Sequence, residues 1–168
     1  MKKTSIGFLI LFVAFFSCAS ETNLSPPSTT PISEEAKTYW YNGTAEITSF
    51  KIQQARYGEL RDGYAVMIFV TEDFSIDEFT KADKSKKKTI PVLKLNLTKN
   101  FVTGIYPYSL MTSSFVPFEN FDHVLKITTS VQEWCGHVFM EMLRDKKMHY
   151  NISSYFEDEN VKDEQLET

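Results

Sequence analysis

The sequence predicts a mainly β fold: a single antiparallel sheet, built as a meander or a partly open barrel, with room for one short helix. Three observations carry this. Aromatic and β-branched residues dominate the middle of the chain in short apolar runs. Glycines and charged clusters punctuate those runs at turn-like intervals. "VLKLNL" (92–97) alternates cleanly, placing Leu93, Leu95 and Leu97 on one side and Lys94 and Asn96 on the other.

The strands follow in order. "TAEITSFKIQQARY" (44–57) reads as a strand, and "GELRDG" (58–63), bracketed by glycines, as a hairpin turn. "YAVMIFVT" (64–71) is nearly continuous in apolar residues, as a central strand would be. "FSIDEFTKADKSKKK" (74–88) has room for a short helical turn. In the aromatic-rich "KNFVTGIYPYSLMTSSF" (99–115), Pro107 favours an edge position or a bend. "HVLKITTSVQEW" (123–134) reads as a long strand. Val131, Cys135, Val138 and Met142 also fit helical spacing, but Thr128, Thr129 and Gly136 are poor helix residues, so the strand is preferred. "HVFMEMLRDKKMHYNISSYFE" (137–157) reads as a hairpin turning at 144–147. That makes about seven strands, mostly joined by short turns.

The ends speak of location. Lys2 and Lys3 precede an apolar run from Ile6 to Phe16 and then small residues, which is the pattern of an export signal over 1–17. The run is shorter than the roughly 20 apolar residues of a membrane-spanning helix. Phe16 and Ser17 stand directly before Cys18, as in a bacterial lipobox, with Phe15 where leucine is usual. Cys18 is therefore the expected lipidation site (a palmitate-type acyl anchor) and the first residue of the mature chain. Residues 18–38, rich in Ser, Thr, Pro and Glu, read as the lipidated cysteine and a disordered tether. Residues 39–157 form the β domain, and 158–168 an acidic disordered tail.

Charge narrows the function classes. The chain carries 18 basic and 22 acidic residues, net −4. Loss of Lys2 and Lys3 with the signal leaves 16 against 22, or −6. Residues 157–168 hold six acids and one lysine, so the body is nearly neutral and lacks the basic face of a nucleic-acid binder. The lysines of "KADKSKKK" (81–88) read as a solvated loop. No cofactor motif is present.

If Cys18 is acylated, Cys135 has no partner for a disulfide. On an unbroken strand, Glu133, Cys135 and His137 would share a face. The imidazole would then activate the thiol and the carboxylate would orient the imidazole. These three are the candidate catalytic residues. The commoner role of such a cysteine is a small buried apolar residue. His123, His137 and His149 are the only histidines, and their spacing demands no metal, though His137 and His149 would lie on paired strands of the last hairpin. Phe101, Tyr106, Tyr108 and Phe115 are the candidate ligand-binding residues: they would line an apolar cavity or simply fill the core.

"PVLKLNLTKNFVTGIYPYSLMTSSFVPF", "KITTSVQEWCGHVFMEM" and "YNISSYFE" together resemble a group of Bacteroidota envelope lipoproteins that often carry the label "septum formation inhibitor Maf". The resemblance covers most of 39–157, with Gln132-Glu133-Trp134-Cys135-Gly136 its most distinctive part. Members are typically longer, which implies that this chain matches their N-terminal part. Maf activity is not implied: true Maf proteins are cytoplasmic α/β nucleotide pyrophosphatases with a Ser-Pro-Arg-Arg stretch absent here. The group has no established functional residues to carry over.

The expectation is a non-enzymatic, lipid-anchored protein of the cell envelope that binds an apolar ligand or an envelope partner. Ala19 after the cysteine, in place of a retention aspartate, favours the outer membrane, on its periplasmic side. The alternatives are a thiol-dependent hydrolase or redox protein using Cys135 and His137, and a structural piece of a longer protein that leaves an apolar sheet face uncovered.

Overall fold

Each strand pairs with the next along the chain, and the result is one open antiparallel sheet. The computed structural model describes residues 31–82 and 88–166. Helix α1 (Glu34–Trp40) precedes nine strands: β1 (Glu46–Arg56), β2 (Glu59–Ser75), β3 (Thr80–Lys81), β4 (Thr89–Thr103), β5 (Tyr106–Pro117), β6 (Lys126–Glu133), β7 (Gly136–Arg144), β8 (Met148–Ser154) and β9 (Val161–Leu166). The spatial order is β1-β2-β4-β5-β6-β7-β8-β9, with β3 paired to the end of β2, and the sheet is not closed into a barrel. The expected mainly β, antiparallel class is therefore observed. Cys18 and lysines 84, 86 and 87 lie outside the described residues.

Strand parity gives the sheet two unlike faces. One row of directly opposed residues runs Met67–Leu97–Thr112–Thr129–Met140–Ile152 across β2 to β8. The next runs Phe69–Leu95–Ser114–Ile127–Met142–Tyr150. We call this side the leucine face. The opposite side carries rows such as Ile68–Asn96–Ser113–Thr128–Glu141–Asn151, where the Ser113 hydroxyl donates to Asn96 Oδ1 at 2.6 Å.

The best-packed core sits at one end of the polar face. Phe74 and Val92, both 0% exposed, cluster with Phe115 and Leu125, and Phe79 and Ile90 pack against them. Loops fold over this end. The Phe118 amide donates to the Pro91 carbonyl (3.0 Å), the Leu125 amide to the Phe115 carbonyl (2.9 Å), and the Lys126 ammonium to the Phe79 carbonyl (3.0 Å).

Several boundaries differ from the sequence reading. The expected turn over 58–63 falls at Tyr57–Gly58, whose φ values of 54° and 76° build a two-residue primed turn, and Gly63 lies inside β2. Residues 76–79 form a turn rather than a helical turn. The helix begins inside the segment expected to be tether: Ser33 caps it by accepting from the Ala36 amide, and Glu34 pairs with Lys37 at 2.8 Å. The segment expected to be a disordered tail contains β9, pinned to β8 where the Tyr150 hydroxyl donates to Glu164 (2.8 Å) and the Asp163 amide to Asn151 (2.9 Å). Composition hides such local pairing. Pro107 sits in β5 beyond the residues that pair with β6, so its missing N–H costs the sheet nothing.

Gly63 faces the crossing β4 backbone. A Cβ there would overlap the Asn100 carbonyl oxygen and stand 2.8 Å from Phe101 Cβ. Gly63→Ala should therefore destabilise the protein by about 1–3 kcal/mol, read as a lowered denaturant midpoint with the slope unchanged.

Candidate functional site

The leucine face is largely apolar, and among the described residues no second layer covers it. All twelve residues of its two central rows are only partly buried. Trp40 of α1 touches it at one corner, edge-on to Phe69, where the Thr71 hydroxyl donates to the Trp40 carbonyl. Within the first row the only polar side chains, Thr112 and Thr129, bond each other at 3.1 Å and leave no unmet polar demand. Lys99, opposite Ala65 and Leu110, marks where this region gives way to aromatic residues.

At that end, three two-residue hairpin turns meet an aromatic framework. Phe101 and Tyr108 stack with ring centres 4.7 Å apart and planes 2° apart. Tyr106 contacts Tyr108 (5.5 Å) and Trp134 (5.1 Å), and the hydroxyls of Tyr57 and Tyr108 bond at 2.9 Å. The Arg56 guanidinium lies 4.7 Å from the centre of the Tyr57 ring and 5.1 Å from that of Tyr108. Phe101, Tyr106 and Tyr108 thus come together, but as a packed stack rather than the wall of a cavity. Phe115 is not with them: it faces the other side at the other end, inside the Phe74 cluster.

The candidate catalytic set does not assemble. The sequence reading ran one strand through 123–134 with 135–137 in line, whereas Trp134 and Cys135 form the β6–β7 turn. Glu133 pairs with Gly136 and looks to the leucine-face side, while His137 pairs with Gln132 on the polar side. Cys135 is exposed, contrary to the expected buried role, because it sits at a hairpin tip. Its neighbour is Tyr106, on the leucine-face side. The Tyr106 hydroxyl is buried without a partner of good hydrogen-bond geometry; the adjacent Cys135 side chain, then burial, raise its pKa. The Tyr108 pKa is raised as well, first by its bond with the Tyr57 hydroxyl and then by burial.

No metal site forms among the described residues. His137 and His149 do lie on paired strands, but His149 opposes Leu143, six residues along β7, or roughly 20 Å away. His123 pairs with Asp122 in the β5–β6 loop.

A cleft of about 790 Å³ opens at the loop end, with Phe79, Ile90 and Leu125 as its floor and Asp77, Glu119 and Asp145 at its rim. Those three floor residues belong to the Phe74 cluster, so the cleft is that core's outer surface. Sequence periodicity marked the leucines of β4 as inward-facing; it did not reveal that no described element lies over them.

Comparison with known proteins found no matching family model, no similar curated protein and no similar solved structure.

Two outcomes follow. Native Cys135 should react with a small alkylating reagent without prior unfolding, and His137→Ala should change the rate by less than about twofold, since the imidazole belongs to the other side of the sheet. Raising the pH past the ordinary tyrosine pKa of about 10 should erode stability: a raised folded-state pKa favours folding below that pH, and the benefit is lost as unfolded phenols ionise first. Tyr106→Phe should flatten this alkaline loss, measured by denaturant titration between neutral and strongly alkaline pH.

Proposed function

We propose that this chain is a non-enzymatic, lipid-anchored protein of the cell envelope. Cys18 holds it to the outer membrane on the periplasmic side, and the leucine face binds an apolar ligand, an acyl chain being the best match. The observation that carries the reading is the partial exposure of the rows through Leu95 and Leu97. A monomer rarely leaves so broad an apolar patch in water without a use for it. From β2 to β8 a row crosses five strand spacings, about 24 Å, which exceeds the roughly 15 Å of hydrocarbon in one bilayer leaflet. A chain lying along the first row meets Met67, Leu97, Met140 and Ile152, with the mutually bonded Thr112 and Thr129 presenting their methyl groups between them, and methionine adapts to a flexible ligand. Covering about 300 Å² would contribute roughly 7 kcal/mol before the costs of binding. The separation of Cys135 and His137 onto different sides gives the thiol-enzyme alternative no support.

Titration of the chain from Ala19 onward with a fluorescent fatty acid tests this, beside native mass spectrometry for copurified lipid. Leu97→Gln combined with Met140→Gln should weaken binding about tenfold or more while the circular dichroism stays that of the parent. Equal affinity in a folded double variant, or no binding by the parent, sinks the proposal.

A further inference from the structure

The two ends of the sheet differ in charge. Loops at one end carry Asp77, Glu78, Glu119, Asp122, Asp145 and Lys146, with one exposed aromatic residue, Phe121 (46%), among them. At the other end, the turns of the β1–β2, β4–β5 and β6–β7 hairpins present Tyr57, Ile105 and Trp134, which are 69%, 84% and 63% exposed. Turns of this length ordinarily favour Asn, Asp or Gly. Tyr57 even occupies the left-handed region (φ 54°), where a bulky aromatic residue is strained. Bulky apolar side chains at all three tips are costly in water and need a reason.

The tips are also aligned. From the Gly63–Phe101 pair, the β1–β2 turn begins to close five residues on, at Gly58, and the β4–β5 turn three residues on, at Gly104. From the Ser109–Gln132 pair, Ile105 lies four residues away and Trp134 two. Successive tips therefore step back by about two residues, roughly 7 Å, while moving two strands, roughly 10 Å, across the sheet. The equal steps make the three tips one stepped edge of the sheet, near enough to one another to meet a single surface. The Phe101–Tyr108 stack, the Tyr57–Tyr108 hydroxyl bond and the Tyr106–Trp134 contact hold Tyr57 and Trp134 in place beneath.

We infer that this aromatic end is a membrane-contact edge, which seats Tyr57, Ile105 and Trp134 in the interfacial layer of a phospholipid bilayer. Tyrosine and tryptophan favour that layer because their rings are apolar and their polar atoms stay wet. Charge selects the lipid. Near the tips, Arg56 and Glu133 offset each other, and Arg61 pairs with Glu59 at 2.5 Å. Glu157, Asp158 and Glu159 follow on the β8–β9 connection at the same end. The edge therefore suits a zwitterionic surface and gains nothing from anionic lipid. This contact is independent of ligand binding on the leucine face.

The chain from Ala19 keeps every described element and lacks the lipid, so it isolates the edge. Cys135, its sole cysteine and the neighbour of Trp134, takes an environment-sensitive fluorophore. Vesicles of phosphatidylethanolamine and phosphatidylcholine should shift its emission to the blue, and unlabelled protein should sediment with the same vesicles. Tyr57→Ser, Ile105→Ser and Trp134→Ser together should lower partitioning about tenfold or more while the circular dichroism and denaturant midpoint show the variant folded. Should the triple variant not fold, Ile105→Asp alone, at the most exposed tip, should lower partitioning in the same way. An unmoved fluorophore and no sedimentation at high lipid excess overturn the inference. So does equal partitioning by a folded variant, or a protein crosslink at position 134 in cells with no response to vesicles.

Discussion

Everything in this molecule follows from one continuous register. β2 pairs with β1 from Gly63 through Phe69 while its other edge pairs with β4 over the same residues, and β4 carries that register into β5. Side chains on directly opposed residues share a side, so this ladder aligns the leucines of β4 with Met67 and Phe69 before it and Val116 after it. A one-residue slip would turn all of them to the polar side. The ladder thus creates the apolar face, and nothing else in the described chain is broad enough to cover it.

A single sheet has a packing problem that two-layered domains do not. Here it is met unequally. At the loop end, Phe74, Val92, Phe115 and Leu125 are buried by the chain's own connections, which cross back over the polar face. At the turn end, aromatic rings stack on one another, and Tyr155 presses so closely on Gly136 that a Cβ there would stand 2.5 Å from its ring. Between these two pads, β4, β5 and β6 are held by hydrogen bonds and by neighbouring side chains lying side by side. The partial exposure of Leu95 and Leu97 belongs to this middle zone, which is why the ligand reading centres there.

Much of the fold was legible in the residues. The β class, the hairpin expected to turn at 144–147 (observed between Arg144 and Met148) and the shared side of Leu93, Leu95 and Leu97 came from alternation and turn chemistry. Two errors have a common cause. Helix α1 and strand β9 lie in segments whose composition reads as disorder, but each is held by particular partners: Ser33 on the Ala36 amide, Tyr150 on Glu164. Composition averages over such contacts. The Glu133–Cys135–His137 idea failed because Trp134-Cys135 is not a usual turn pair, so the sequence did not announce the hairpin that separates them. The aromatic set does not form one cavity wall: Phe101, Tyr106 and Tyr108 gather as a packed stack, whereas Phe115 lies an odd number of residues from Tyr106 and Tyr108 on β5 and so faces the other side. What stands over a face is a property of the whole arrangement, and no local pattern encodes it.

The central claim is that the leucine face is open in the isolated chain. Carbene footprinting read by mass spectrometry tests it directly, because a carbene inserts into any exposed C–H bond. The account predicts that Leu95, Leu97 and Met140 take label at a level between that of exposed Met111 and that of buried Val92 and Phe74, and that a bound fatty acid suppresses it. Labelling of those residues as low as Val92 in ligand-free protein would mean that the face is covered, and would contradict the account.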